Sequence, residues 1–282
     1  MRRGTFPRAV IPPAMLRWVV GLFLLVNGLL PALWILSTSF KTTIELRTIP
    51  ITFLPAHPTF QNYIDAFTQQ PLLLFVFNSF VVACLSGALT LFVASLGAYA
   101  LVRLPVPGRG LILTFIIAVS TFPLVTLLVP LFEILRSLDL LNSYPALIFP
   151  YAVLSLPVCI LVLMTFFDTI PYELEQAAMV DGCTRMGALW RVVMPLAAPG
   201  VFTAGILAFV NSWDEFLLAL SFNASPAMRT LPVGITLYQG QFTFPWPEIS
   251  AALVVGIIPV AVLIVAFQER VVSGLSAGGL KG

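Results

Sequence analysis

The sequence predicts an all-α integral membrane protein, and two observations carry that reading. Hydrophobic side chains make up 59% of the 282 residues and charged ones only 9%, against roughly 25% charged in an ordinary soluble domain. The apolar residues also gather into six stretches, each near the length of about 20 residues that crosses a bilayer as a helix. They run from Ala14 to Ser37, Leu72 to Leu101, Leu111 to Leu131, Ala146 to Phe167, Ala197 to Leu220 and Ile249 to Phe267. None alternates apolar and polar residues as a barrel strand does. Hydrocarbon leaves each backbone polar group to be satisfied within the protein, so unbroken apolar stretches of this length are helices.

The first stretch is long and lacks a small-residue cleavage site with clean spacing, so it reads as a retained anchor rather than a signal peptide. Cys84 and Cys159 fall in the second and fourth stretches and Cys183 in a polar loop, a distribution that points to packing rather than a disulfide or metal site. A net charge of +2 is too small to imply nucleic acid. With no internal repeat or soluble insertion, residues 1–282 read as a single domain.

Six spans place both termini on one side. The segments sharing that side carry Arg2, Arg3, Arg8, Arg17, Arg103, Arg109, Arg185, Arg191, Arg270 and Lys281, whereas the opposite loops carry only Lys41, Arg47, Arg136 and Arg229. The basic excess marks the cytoplasmic face, so both termini are expected there. Residues 168–196 then form a cytoplasmic loop of about 30 residues, well beyond an ordinary connection between packed helices. The external segments 38–71 and 221–248 are rich in Pro, Thr and aromatic residues and read as landing surfaces for a partner.

The cytoplasmic loop carries the punctuation of two short helices. Pro171 suits a first helical position, Glu173 and Glu175 favour the positive end of the helix dipole, and Gly182 suits a left-handed terminus. Thr184 caps a second helix that bears Met186, Leu189, Trp190 and Val193 and is expected to stop at Pro195. An amphipathic hairpin resting on lipid is the alternative reading of the same pattern.

Gln176-Ala177-Ala178, three residues, Gly182, nine residues, then Val192-Val193-Met194-Pro195 resembles the signature loop of bacterial ABC importer permeases: Glu-Ala-Ala, three residues, Gly, nine residues, Ile-x-Leu-Pro. The spacing matches throughout, with Gln176 in place of the leading Glu. The resemblance extends over nearly the whole chain and is closest to the smaller permease of the maltose-type carbohydrate importers. Supporting segments are 58–63, Asn78-Ser79, Gly97 to Leu101, Trp213-Asp214-Glu215-Phe216 and the tail from Ser273 to Gly282.

The resemblance implies the six-helix type I importer permease fold and an inner-membrane location. It implies a heterodimer with a second permease, two ATP-binding subunits and an external solute-binding protein. Glu175, Gln176, Ala177, Ala178, Asp181, Gly182 and Pro195 would then couple to the ATPases, and Gly240 and Gln241 would contact the binding protein. No Gly-x-x-x-x-Gly-Lys-Ser/Thr loop occurs, so the chain is expected to bind no cofactor, with ATP and Mg used by the partners.

Within the spans, Asn78, Asn211 and Ser212 offer the neutral hydrogen bonds a polyol needs, and Tyr99 or Trp213 a ring to stack on a sugar. Interhelical glue is the competing reading for each. Asp214 and Glu215 lie roughly 26 Å along the fifth stretch from Ala197. That is near the outer edge of a core about 30 Å thick, which favours a structural role over substrate contact.

Two other classes of function fit the sequence less well. A stand-alone secondary transporter would couple to intramembrane charges, which are scarce apart from the acid pair. Gly274-Leu275-Ser276-Ala277-Gly278 matches a hydrolase nucleophile pattern, but it lacks the preceding strand, and the only histidine, His57, is assigned to the other face.

Overall fold

The computed structural model describes residues 13–240 and 243–279, and all regular structure among them is helical. Four of the six apolar stretches form single helices long and apolar enough to cross a membrane. These are α1 (Pro13–Ser39), α3 (Leu72–Arg103), α6 (Pro145–Thr169) and α13 (Trp246–Gly279), with the short α2 (Gln61–Gln69) between the first two.

The third and fifth stretches are bent rather than straight. The third divides into α4 (Arg109–Ser120) and α5 (Leu124–Ser137), which meet at 94°. Pro123 sits at the break with extended backbone, and a proline disfavours helical dihedrals in the residue before it.

The fifth stretch forms α10 (Ala198–Asp214) and then stops short of Leu220. Glu215 is extended, and the chain restarts as α11 (Leu217–Phe222). Preceding α10 are α7 (Tyr172–Val180), α8 (Arg185–Ala188), a π-helical turn at Leu189–Val193 and α9 (Met194–Leu196). The segment from Arg185 to Leu196 meets α10 at 85°. Counting each bent pair as one span gives six.

Pro195 does not stop the second loop helix as expected. In a regular α-helix its ring would collide with the carbonyl four residues earlier. Here the π-helical turn immediately upstream widens the backbone, and helix continues through Pro195 to Leu196.

The chain forms two compact units, one within Met1–Thr68 and Gln241–Val255 and the other within Gln69–Gly240 and Gly256–Gly282. In the first, the segment after α1 folds back on that helix. Lys41 is buried, its Nζ donates to the Thr52 carbonyl, and it lies 4.6 Å from the centre of the Trp34 ring. Phe53 packs against Trp34 at 5.8 Å, and Asn62 Nδ2 bonds the Ser39 and Lys41 carbonyls at 2.8 Å each.

The second unit is built on α3, α6 and α10. One buried cluster joins Ala94, Ala98, Leu163 and Phe167 to Leu189 and Val193 of the loop, and another joins Val82, Leu147, Tyr151 and Leu218. The later residues of α3 thus meet the later residues of α6, so these two helices run parallel. Ser86 bonds Ser212 at 2.8 Å, while Gly205 faces Leu91, so α10 runs antiparallel to α3. Small residues at the crossings let the backbones approach, as helices in lipid require.

The six-residue α12 (Leu231–Thr236) lies against α3 only because position 234 is glycine: a Cβ there would stand 2.1 Å from Phe75 Cδ2. Phe75 is itself buried. Gly234→Ala is therefore expected to cost about 1–3 kcal/mol by overpacking and to lower the Tm of the detergent-solubilised protein. Phe75→Leu in the same chain should recover much of the loss.

Candidate functional site

The loop between α6 and α10 is fixed by backbone chemistry at two points. Gly182 takes φ +91°, and the Cys183 N–H bonds the Ala178 carbonyl at 2.9 Å while the Gly182 N–H bonds that of Met179 at 3.1 Å. This is the Schellman arrangement that closes a helix on a left-handed residue. At the next helix, Thr184 Oγ1 accepts the Gly187 N–H at 3.1 Å, an N-cap bond to the third helical residue. Pro171 stands one residue earlier than expected, as the N-cap of α7.

The faces of α7 are unequal. Gln176 and Ala177 are exposed, as are Asp181 and Gly182 beyond the helix, and Ala178 is half-buried. Glu175 is 1% exposed and faces the spans. It is thus placed to hold the loop to its own chain, and not where a partner touches it. Its Oε1 accepts the Tyr99 hydroxyl, and its Oε2 stands 3.2 Å from Arg103 Nε as an ion pair rather than an aligned hydrogen bond. Arg103 also donates to the Phe167 and Ile170 carbonyls at 2.9 and 2.6 Å, and its guanidinium lies 5.6 Å from the centre of the Tyr172 ring.

Arg103 was missed by sequence reasoning. As the last residue of an apolar helix it reads as an ordinary cytoplasmic positive charge, and its partner lies 72 positions away in the loop. No periodicity or spacing links two residues so far apart.

The residues weighed for a substrate pathway separate into two groups. Asn78 is fully buried and bonded within the chain: Nδ2 donates to the Ala227 and Arg229 carbonyls at 2.9 Å each, and Oδ1 accepts the Tyr144 hydroxyl at 2.8 Å. Tyr99 serves Glu175, and Trp213 is buried with its ring stacked 5.6 Å from that of Phe209. Glu215 caps α11, accepting the Leu218 N–H at 2.9 Å and the Ala219 N–H at 3.2 Å, and it also accepts the Tyr151 hydroxyl at 2.5 Å. These four residues have structural duties.

Asn211 and Asp214 are exposed. Asn211 Nδ2 donates to Ser155 Oγ at 3.0 Å, and both line a cavity of about 310 Å³ together with Ser120, Leu154, Val158 and Leu207. Ser120 and Ser155 were not singled out from sequence, since serine within an apolar stretch carries no signal of the face it occupies. Gly240 is exposed, while Gln241 lies outside the described residues. The Gly274–Gly278 pattern falls inside α13, which is not the strand-turn-helix that a nucleophile elbow needs.

Residues 91–275 match the family described as binding-protein-dependent transport system inner membrane component. The chain is 71% identical, over 95% of its length and 94% of the relative's, to the sulfoquinovosyl glycerol transport system permease protein SmoH of Agrobacterium fabrum. It is 38% identical over 90% of its length and 93% of the relative's to the trehalose transport system permease protein SugB of Mycobacterium tuberculosis. To the trehalose/maltose transport system permease protein MalG of Thermococcus litoralis it is 36% identical over 90% and 92%.

Among solved structures, a chain of a bacterial ABC transporter involved in import of the acidic polysaccharide alginate aligns with a TM-score of 0.78 at 21% identity. The alignment covers 91% of this chain and 95% of that one. That likeness identifies the fold as the type I ABC importer permease. Helical spans, a capped loop between the fourth and fifth of them, and these matches lead to one conclusion: the chain belongs to the family of binding-protein-dependent transport system inner membrane components, as a permease subunit of an ABC importer.

Proposed function

We propose that this chain forms half of the translocation pathway for a sulfonated glycoside and receives ATP-driven motion through residues 170–195. A second permease completes the pathway, two ATP-binding subunits hydrolyse ATP with Mg, and an external solute-binding protein delivers the substrate. Both termini face the cytoplasm. The chain itself binds no nucleotide, in keeping with its lack of a phosphate-binding loop.

The observation that carries the coupling role is the two-faced loop. Its inner face is fastened through Glu175, while Gln176, Ala177 and the Gly182 turn lie outward, and the small Ala177 and Gly182 let another protein approach closely. A helix merely lying on lipid would put its apolar face into the membrane and need no such fastening.

The substrate class rests on the name and 71% identity of the relative from Agrobacterium fabrum. Asn211 and Ser155 give the cavity they line neutral hydrogen-bonding groups suited to hydroxyls, beside an apolar wall suited to a sugar ring. Gly240 and Gln241 belong to the external loop that meets the binding protein.

Three expected outcomes follow from these roles. In proteoliposomes holding the whole complex, sulfoquinovosyl glycerol with its binding protein should accelerate ATP hydrolysis, whereas trehalose or maltose should not; equal acceleration by trehalose would refute the assignment. A cysteine placed at Gly282 should react with an impermeant thiol reagent only from the cytoplasm, and one at Ser225 only from outside. Reaction of both from one side would overturn the topology.

The Gly182 site has open space but positive φ. Any L side chain there costs about 1–2 kcal/mol of backbone strain, and a β-branched one more. Gly182→Val should accordingly depress uptake more than Gly182→Ala, with membrane abundance of both near normal. Full uptake by both would show that the turn is not needed for coupling.

A further inference from the structure

Arg103 is the last residue of α3, yet its guanidinium reaches two other elements, α6 and α7. Its NH2 group donates to the carbonyls of Phe167 and Ile170 at the C-terminal end of α6. The Phe167 carbonyl also accepts the Ile170 N–H at 3.3 Å, but a helix end has acceptor sites to spare and carries partial negative charge, so a cation there is doubly suited. The Nε side pairs with Glu175 of α7, and the plane lies near the ring of Tyr172, the first residue of α7. Tyr99, one turn back on α3, donates to the other oxygen of Glu175.

The covalent link between α6 and α7 is only two residues long. It consists of Ile170 and Pro171, both extended, with ψ of 124° and 132°. The proline ring fixes the φ of Pro171 and confines Ile170 to extended conformations, which leaves the ψ of Pro171 as the torsion about which α7 can still swing relative to the spans.

We propose that Arg103 is a positioning residue for energy coupling, whose guanidinium ties α7 to α3 and α6 so that a push on the loop moves both helices as one body. This rests on the reading of residues 170–195 as the docking segment for the ATP-binding subunits. The side chains of Arg103 and Glu175 are 9% and 2% exposed, so water does not compete for the pair. Removing one partner strands the other charge in a dry site, whereas neutralising both removes the penalty together with the tie. A folding role and a positioning role therefore differ in what the neutral double variant does.

The test uses the assembled complex in proteoliposomes and measures ATP hydrolysed per molecule of sulfoquinovosyl glycerol imported. Arg103→Met with Glu175→Gln should assemble, hydrolyse ATP and raise that ratio roughly tenfold, because neutralising both relieves the stranded charge without restoring the tie. Arg103→Lys keeps the charge but not the planar fork that spans two carbonyls and a carboxylate, and it should give an intermediate ratio. If the double variant does not assemble, Arg103→Lys decides. A wild-type ratio in an assembled Arg103→Lys or double variant overturns the proposal. Gly182→Val serves as the control: if it uncouples while the Arg103 variants do not, only the role of Arg103 falls, and if it leaves uptake unchanged, the docking reading falls as well.

Discussion

Hydrocarbon offers no hydrogen bonds, and this constraint governs how the chain is built wherever its helices break. A helix that stops within or near a bilayer exposes carbonyls at one end and N–H groups at the next start. After Asp214 the chain meets the demand with a side chain: the Glu215 carboxylate accepts the Leu218 and Ala219 N–H groups that begin α11. At the end of α6 the Arg103 guanidinium does the complementary work for the Phe167 and Ile170 carbonyls. Both the acid and the base are engaged in completing helix ends.

The same constraint explains why most polar side chains of the second unit are spent internally. Ser86 bonds Ser212, Thr90 bonds carbonyls at Ser86 and Ala152, and Asn78 holds the backbone at Ala227 and Arg229. Each bond satisfies a group that has no water to turn to, and all but the Thr90 bond to Ser86, which lies within α3, fix the relative position of two segments. Asn211 and Ser155 differ because their bond lies at the wall of a cavity. Location, rather than residue type, separates a cavity wall from interhelical glue.

The loop from Tyr172 to Leu196 combines rigidity with an accessible face. Its turn is closed by the Schellman bonds at Gly182, its second helix is capped by Thr184, and Leu189 and Val193 are buried against α3 and α6. These contacts stiffen the loop at its own joints. Trp190 stacks on Phe92 at 6.0 Å, adding a lateral contact with α3.

Much of this was legible in one dimension. Span number, the helices from Leu72 and Pro145, the Gly182 terminus and the Thr184 cap all depend on residues within a few positions of one another, where composition and local backbone preference decide the outcome. The family was legible for a similar reason, since the spacing from Gln176 through Gly182 to Pro195 is a property of the sequence alone. The breaks at Pro123 and Glu215, the continuation of helix through Pro195, and the inward turn of Glu175 were not. At Pro123 and Pro195 the same residue type breaks one helix and is passed by another, according to the backbone upstream. The other cases depend on which partner is near in space: Glu175 faces inward because Arg103 and Tyr99 wait there, and Asn78 is glue because distant carbonyls fill its bonds. The sequence by itself determined that the chain is helical, membrane-embedded and equipped with a capped loop. Only the tertiary structure decided which polar residues hold the fold and which remain available, because a polar group's role in a dry interior is set by the partner that satisfies it.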